Sequence, residues 1–87
     1  MTIEESRARI EEIDKEILQL IKERTDVAEQ IGLIKKENGS EICVPAVEKK
    51  VIERYRSFAV SEGLDPDIME KVCVCLMEQS KQRQDSL

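Results

Sequence analysis

Arg7, Arg24, Lys35, Glu48, Ser80 and Gln84 are the side chains of this 87-residue sequence whose types and spacing could act on a small anion. The arginines and the lysine can hold carboxylates, the arginines through a planar fork that binds them bidentately. Glu48 can accept from a hydroxyl, while Ser80 and Gln84 offer neutral hydrogen bonds. The chain has no histidine, which excludes every mechanism built on an imidazole base, Ser-His-Asp and Cys-His catalysis among them. Binding, orientation and charge stabilisation remain. A zinc site would have to be assembled from Cys43, Cys73, Cys75 and carboxylates. Cys73 and Cys75 are two positions apart, which on a helix turns them to nearly opposite sides. They read as small core residues, and no metal is expected.

Three helices must position these groups. Apolar residues recur in a heptad rhythm at Ile3, Ile10, Ile13, Ile17, Leu20, Val27, Ile31 and Ile34, with no proline and only Gly32 to interrupt. Thr2 or Ser6 can cap the start, and Asn38-Gly39 ends it with residues that tolerate a left-handed turn. The pattern predicts a helix over residues 3–37, about 50 Å long at a rise of about 1.5 Å per residue. A compact monomer of this size is only about 30 Å across. The helix therefore overhangs any core that one chain can build, and a dimer is the expected remedy. Gly39-Ser40-Glu41 reads as a loop. Pro45 suits a first helical position, and a second helix is expected over 45–62, with Val47, Val51, Tyr55 and Phe58 on its apolar line and Gly63 beyond its end. Asp65 and Pro66 open a third helix over 66–84. Its inward line is Met69, Val72, Cys73, Leu76 and Met77, continued by Ser80 and Gln84. The expected fold class is all-α, one domain over 1–87 with three helices, one of them very long.

Arg24 falls on the apolar seam between Leu20 and Val27, where an unpaired charge is costly to bury. Taken alone, it is explained by a salt bridge to a neighbouring helix or by snorkelling to solvent. Lys35 returns to within about 20° of the same direction and lies about 16 Å further along the axis. Ala28 and Gly32 between them leave room, and two cations bracketing a gap suit a dianion. Glu48 sits one step off the second seam, and Ser80 and Gln84 are one turn apart on the third. Each has a plain alternative: a first-turn Glu favoured by the helix dipole, a serine bonded to its own helix, a solvated amide. As a set on inward faces they make a binding site. Arg7 lies about 25 Å from Arg24, too far to share a small ligand on one helix. It is either a solvated residue like Arg9 or, in an antiparallel dimer of long helices, a neighbour of the partner chain's Arg24.

The remaining composition narrows the class. A net charge of −5, one Tyr, one Phe and no Trp disfavour a nucleic-acid binder with a basic surface and stacking aromatics. No apolar run approaches the roughly 18 residues of a membrane span, and no signal peptide opens the chain. Three cysteines are an odd number without a pairing pattern, which disfavours a disulfide-stapled secreted domain and points to the cytoplasm.

Arg7, Ile10-x-x-Ile13-Asp14, Leu20-Ile21-x-x-Arg24, Ala28, Ile31-Gly32 and Lys35 resemble the first helix of the all-α chorismate mutases. Pro45-x-x-Glu48-Lys49, Ile52-x-Arg54 and Glu78-x-Ser80-x-x-x-Gln84 are similar to the other two. The resemblance covers nearly the whole chain without gaps, and it is the ordered set rather than any single motif that is specific. It implies an intertwined helical-bundle homodimer with two shared sites that rearrange chorismate to prephenate in Phe and Tyr biosynthesis, without a cofactor. By position it implies that Arg7 crosses from the partner chain to bind a substrate carboxylate with Arg24. Lys35 and Gln84 would face the ether oxygen, with Lys35 also helping a carboxylate. Glu48 would accept from the ring hydroxyl, and Ser80 would sit by the ring carboxylate. In 87 residues there is no room for an added dehydratase or dehydrogenase domain, so the expectation is a monofunctional enzyme of the small bacterial or archaeal type.

The family commonly carries Asp-x-x-Arg-Glu at the start of the second helix, and here the Asp and Arg positions are Val44 and Val47. The lost positive charge points to weaker catalysis, an altered substrate, or compensation by Lys49 or Lys50. The rivals are an isochorismate-pyruvate lyase or amino-deoxychorismate mutase on the same scaffold, and a non-catalytic helical dimer with a decayed pocket. Retention of Glu48 leans toward chorismate.

Overall fold

The computed structural model describes residues 1–39 and 44–87. Ser40, Glu41 and Cys43 of the sequence reading lie outside the described residues. Three helices account for most of the rest: α1 (Ile3–Asn38), α2 (Pro45–Ser61) and α3 (Pro66–Asp85). Each boundary has a local cause. The Thr2 hydroxyl caps α1 by accepting from the Glu5 amide at 3.1 Å, and Ser6 is not used. Gly39 closes α1 at φ 68°, its amide donating to the Lys35 and Lys36 carbonyls. The Asp65 carboxylate accepts from the Asp67 and Ile68 amides at 2.8 and 3.0 Å, which satisfies two of the orphan donors of α3. Val44 gives α2 no side-chain cap, and Pro45 at the first turn starts that helix without one.

α3 packs against both α1 and α2, while α1 and α2 make no packing contact with each other among the described residues. The result is elongated, 54 × 24 × 14 Å. The long axis is set by α1, whose 36 residues measure about 54 Å.

The face of α1 that meets α3 differs from the heptad seam. Thr25, Ala28 and Gly32 are the buried residues of α1. Ile3, Ile10, Ile17, Leu20 and Val27 are all exposed in the single chain. Small residues allow two helix backbones to approach closely, and bulky ones hold them apart, so the chain's own α3 takes the small face. The bulky seam stays uncovered. Cys73 and Ala59 are fully buried where α3 meets α2, and burial pushes the Cys73 thiol pKa up. Cys75 is exposed.

Two ion-pair clamps lock the orientation of α3. Arg83 reaches Asp26 at 3.1 Å and Glu29 at 3.3 Å across to α1. Arg56 ties α2 to the start of α3 through Asp67 at 2.9 Å and Glu70 at 3.1 Å. The Asp26 carboxyl is held below its ordinary pKa chiefly by its hydrogen bond to Lys22, and then by Arg83. Both clamps are solvent-facing, so they fix register more than they add stability. No helix among the described residues is long and apolar enough to cross a membrane.

The α3 cap offers a direct check on this account of the helix boundary. Replacing Asp65 with Ala should lower the unfolding free energy by about 1 kcal/mol, seen as a lower urea midpoint with an unchanged slope. An unchanged midpoint would show that the cap carries no weight.

Candidate active site

Because α1 and α2 do not pack on each other, a cavity of about 570 Å³ opens between them, floored by α3. Three helical stripes line it. α1 contributes Leu20, Arg24, Val27, Ile31 and Lys35, the stretch of the bulky seam nearest α3. Val44, Val47, Glu48 and Val51 come from the start of α2, and Met77, Ser80, Lys81 and Gln84 from the end of α3. The last two sets each follow the i, i+3, i+4, i+7 spacing that puts residues on one helix face. Five of the six candidate residues, Arg24, Lys35, Glu48, Ser80 and Gln84, thus meet at one cavity.

Arg24 is half-buried, and its guanidinium donates to the Leu76 carbonyl at 3.1 Å and to the Ser80 hydroxyl at 2.8 Å. Both acceptors are neutral. No carboxylate lies within ion-pair distance of Arg24 among the described residues. The salt bridge that would have explained an arginine on the seam is therefore not formed. Its positive charge is held at the cavity wall by hydrogen bonds, without a direct ion pair. Ser80 itself donates to the Leu76 carbonyl at 3.1 Å. The hydroxyl is thus bonded back to its own helix and at the same time accepts from Arg24, and its direct effect is to aim the guanidinium.

Gln84 is buried, and its amide nitrogen donates to the Ala28 carbonyl at 2.8 Å. This anchor corrects the reading of Ala28 and Gly32 as open space between two cations. A Cβ built on Gly32 would meet Cγ of Gln84 at 2.9 Å and Cδ1 of Leu87 at 3.0 Å. The small residues make room for α3 to lie close, and Gln84 fills what they vacate. An amide nitrogen carries two donors, so one N–H anchors the side chain and a second remains on a group fixed at the cavity edge.

Glu48 pairs with Lys81 of α3 at 2.7 Å, with its side chain a quarter exposed. Lys81 was missed in the sequence, although it shares the stripe of Met77, Ser80 and Gln84. Lys49 and Lys50, offered as one of three alternatives for the valines, are exposed and do not line the cavity. Helical spacing turns them away from the face that carries Val47, Glu48 and Val51. Val44 and Val47 form an apolar wall. Arg7 is exposed, outside its own chain's cavity, on a length of α1 that no other helix of the chain covers. Among the described residues no group of three or more His, Cys, Asp or Glu side chains is placed to hold a metal ion.

A helix-walled cavity that gathers three cations, two carboxylates and an anchored amide suits a small polyanion held by position and charge. Residues 6–85 match the family described as chorismate mutase type II, and the chain belongs to that family. It is 36% identical over 77 residues to a chorismate mutase of Methanocaldococcus jannaschii, covering 88% of this chain and 78% of that one. An intracellular chorismate mutase of Mycolicibacterium smegmatis is 38% identical over 63 residues, 72% of this chain and 61% of its own. A bifunctional chorismate mutase/prephenate dehydratase of Aquifex aeolicus is 40% identical, and this chain matches only 24% of its length. No solved structure matches the chain significantly.

Gly32→Ala separates position from stability. Alanine raises helix propensity by about 1 kcal/mol, while the contact at Gln84 costs a comparable amount. The melting temperature should move by only a few degrees, while affinity for a dianionic ligand falls as Gln84 is pushed off the Ala28 carbonyl. Unchanged affinity would mean that the close approach does not set Gln84.

Proposed function

We propose that this chain is a chorismate mutase, an isomerase that converts chorismate to prephenate in aromatic amino-acid biosynthesis. The observation that carries the reading is Arg24: a half-buried guanidinium held by neutral acceptors, with its charge directed at a cavity in which Lys35 also stands. Membership of the chorismate mutase type II family supports it.

The reaction suits a site without histidine. Chorismate rearranges within one molecule: a C–O bond breaks while a C–C bond forms, with no nucleophile, no cofactor and no net proton transfer. The enzyme must hold a flexible dianion in a compact chair, so that the bond-forming carbons meet. It must also stabilise negative charge as it grows on the ether oxygen. Arg24, aimed by Ser80 and the Leu76 carbonyl, binds a carboxylate. Lys35 and the second amide N–H of Gln84 serve the ether oxygen. Because Gln84 is already anchored to Ala28, little reorganisation is needed as charge develops. Glu48 accepts from the ring hydroxyl. The apolar wall of Val44, Val47 and Val51 excludes water and strengthens each of these contacts.

The working unit is a homodimer with shared sites. Support comes from the uncovered seam of α1, where Ile3 is 71% and Ile10 57% exposed, apolar surface that a second long helix would cover. Arg7 lies on that overhanging length and supplies the partner's site with a further carboxylate ligand. The free Cys73 and Cys75 support a reducing compartment, the cytoplasm.

Chorismate mixed with the protein should lose its absorbance and give prephenate. Pyruvate with an aromatic product would instead assign a lyase, and no turnover of chorismate or its close analogues would leave a non-catalytic dimer. Arg24→Ala should lower kcat/KM by about 100-fold or more while the fold is retained, and wild-type rates would remove Arg24 from the site.

Subunit mixing checks the shared site. Inactive Arg7→Ala and Lys35→Ala chains should regain partial activity as heterodimers, because each heterodimer contains one site with neither substitution. No recovery would show that Arg7 does not act across chains.

A further inference from the structure

We infer that Lys81 is a substrate-binding residue of this cavity, the cation through which α3 rather than α2 supplies positive charge to a dianion. The inference rests on the proposed mutase reading of the site and adds to it a residue that fixes which ligand charge the cavity accepts.

Charge counting carries the argument. The cations lining the cavity are Arg24, Lys35 and Lys81, and the carboxylates are Glu23 and Glu48. Without Lys81 the wall would hold two of each sign and be neutral overall, which would give a dianion no net attraction on entering a low-dielectric site. With Lys81 the chain's own balance is positive by one, and a crossing Arg7 raises it to two, equal and opposite to the ligand. The α2 wall offers no cation in compensation, since its cavity-facing residues are Val44, Val47, Glu48 and Val51.

Geometry places the charge. Lys81 Nζ is 2.7 Å from Glu48 Oε2, with the Lys81 side chain 42% exposed and the Glu48 side chain 25%. The pair spans from α3 to α2 across one end of the cavity, so Glu48 holds the flexible lysine stem where it can meet a ligand carboxylate. The ammonium in turn keeps a carboxylate that must accept from a hydroxyl from repelling the ligand's own charges. An ammonium has three donors, and a bridge between Glu48 and a substrate carboxylate is within its geometry.

The test compares Lys81→Met, which keeps the aliphatic stem and removes the charge, with Lys81→Arg and with Val47→Arg/Lys81→Met. The double variant returns a cation to the same cavity from the opposite helix. Loss of one charge-assisted contact predicts that Lys81→Met raises KM about 10- to 100-fold, with a smaller effect on kcat. Lys81→Arg should stay within a few-fold of wild type, and the double variant should recover most of the loss. Calorimetric binding of a rigid bicyclic ether dicarboxylate, shaped like the chair transition state, should weaken in parallel.

If the wild type turns over chorismate and Lys81→Met matches it in KM and in dicarboxylate affinity, this inference falls and the mutase reading stands. A Lys81→Met chain that loses thermal stability, is not rescued by Val47→Arg and keeps its affinity would make the pair a structural bridge, which overturns it equally. If the wild type itself turns nothing over, the mutase reading fails. The dicarboxylate titration then decides on Lys81 alone, and equal or absent binding by both proteins overturns it.

Discussion

The rest of the site depends on the distance between α1 and α3 at Gly32. Its missing side chain lets Gln84 lie against the α1 backbone and reach the Ala28 carbonyl. Once α3 is seated there, one turn earlier Ser80 and the Leu76 carbonyl come within reach of Arg24. A bulkier residue at position 32 would lift α3 away and loosen both contacts together. The positions of the Gln84 amide and the Arg24 guanidinium are thus set by a packing contact that involves no charge. Packing of this kind can place a donor to a few tenths of an ångström because the protein interior resists compression.

Electrostatics follow from what that seating does not supply. A guanidinium partly withdrawn from water ordinarily finds a carboxylate, since a charge left unpaired in a low-dielectric region is expensive. Arg24 has only neutral acceptors, whereas the arginines that serve the fold, Arg56 and Arg83, are each paired with two acidic side chains. The difference separates the arginines that tie helices together from Arg24, which is proposed to bind substrate. Arg83 and Arg56 have their pKa values raised by those carboxylates, first by Asp26 and Asp67 respectively, and they lie on outward faces. Arg24, without an ion pair, faces the cavity opposite the valines at the start of α2. In the proposed mutase the cost of leaving it without an ion pair falls on the empty protein and is recovered on binding the dianion.

The helices were legible because their boundaries are written in local chemistry. Pro45, Asp65-Pro66, Thr2 and Asn38-Gly39 act within one turn of themselves, and the observed ends lie within a residue of the expected ones. Candidate residues on inward faces were legible for the same reason, since helical periodicity is local. What depends on how one helix is rotated against another was not. The heptad seam read as the packing face, yet α3 chose Thr25, Ala28 and Gly32 beside it, because contact between backbones depends on smallness and not on hydrophobicity. Lys81 was not singled out from the sequence, although Met77, Ser80, Lys81 and Gln84 form one stripe. Its ion pair with Glu48 spans two helices, and only their relative placement reveals it. Lys49 and Lys50 were weighed as compensation for Val47, but adjacency along a helix turns a side chain away from its neighbour's face, and neither lines the cavity.

The uncovered seam ties the chain's length to its chemistry. In α1 no residue before Thr25 is buried, so about the first half of the helix adds little to its own chain's core. Such a length would be costly to order for a monomer, since each residue fixed loses about 1–2 kcal/mol of backbone entropy with no tertiary burial to offset it. In the proposed dimer the same length does two things at once. Its isoleucines bury against the partner, and Arg7 is carried beyond its own core to the other chain's cavity. Subunit association and completion of the site then become one equilibrium, so the dianion, by bridging Arg7 of one chain and Arg24 of the other, should favour the dimer by mass action. On the proposed reading, a site without histidine that relies on placed charge reaches its full positive potential only when the dimer is complete.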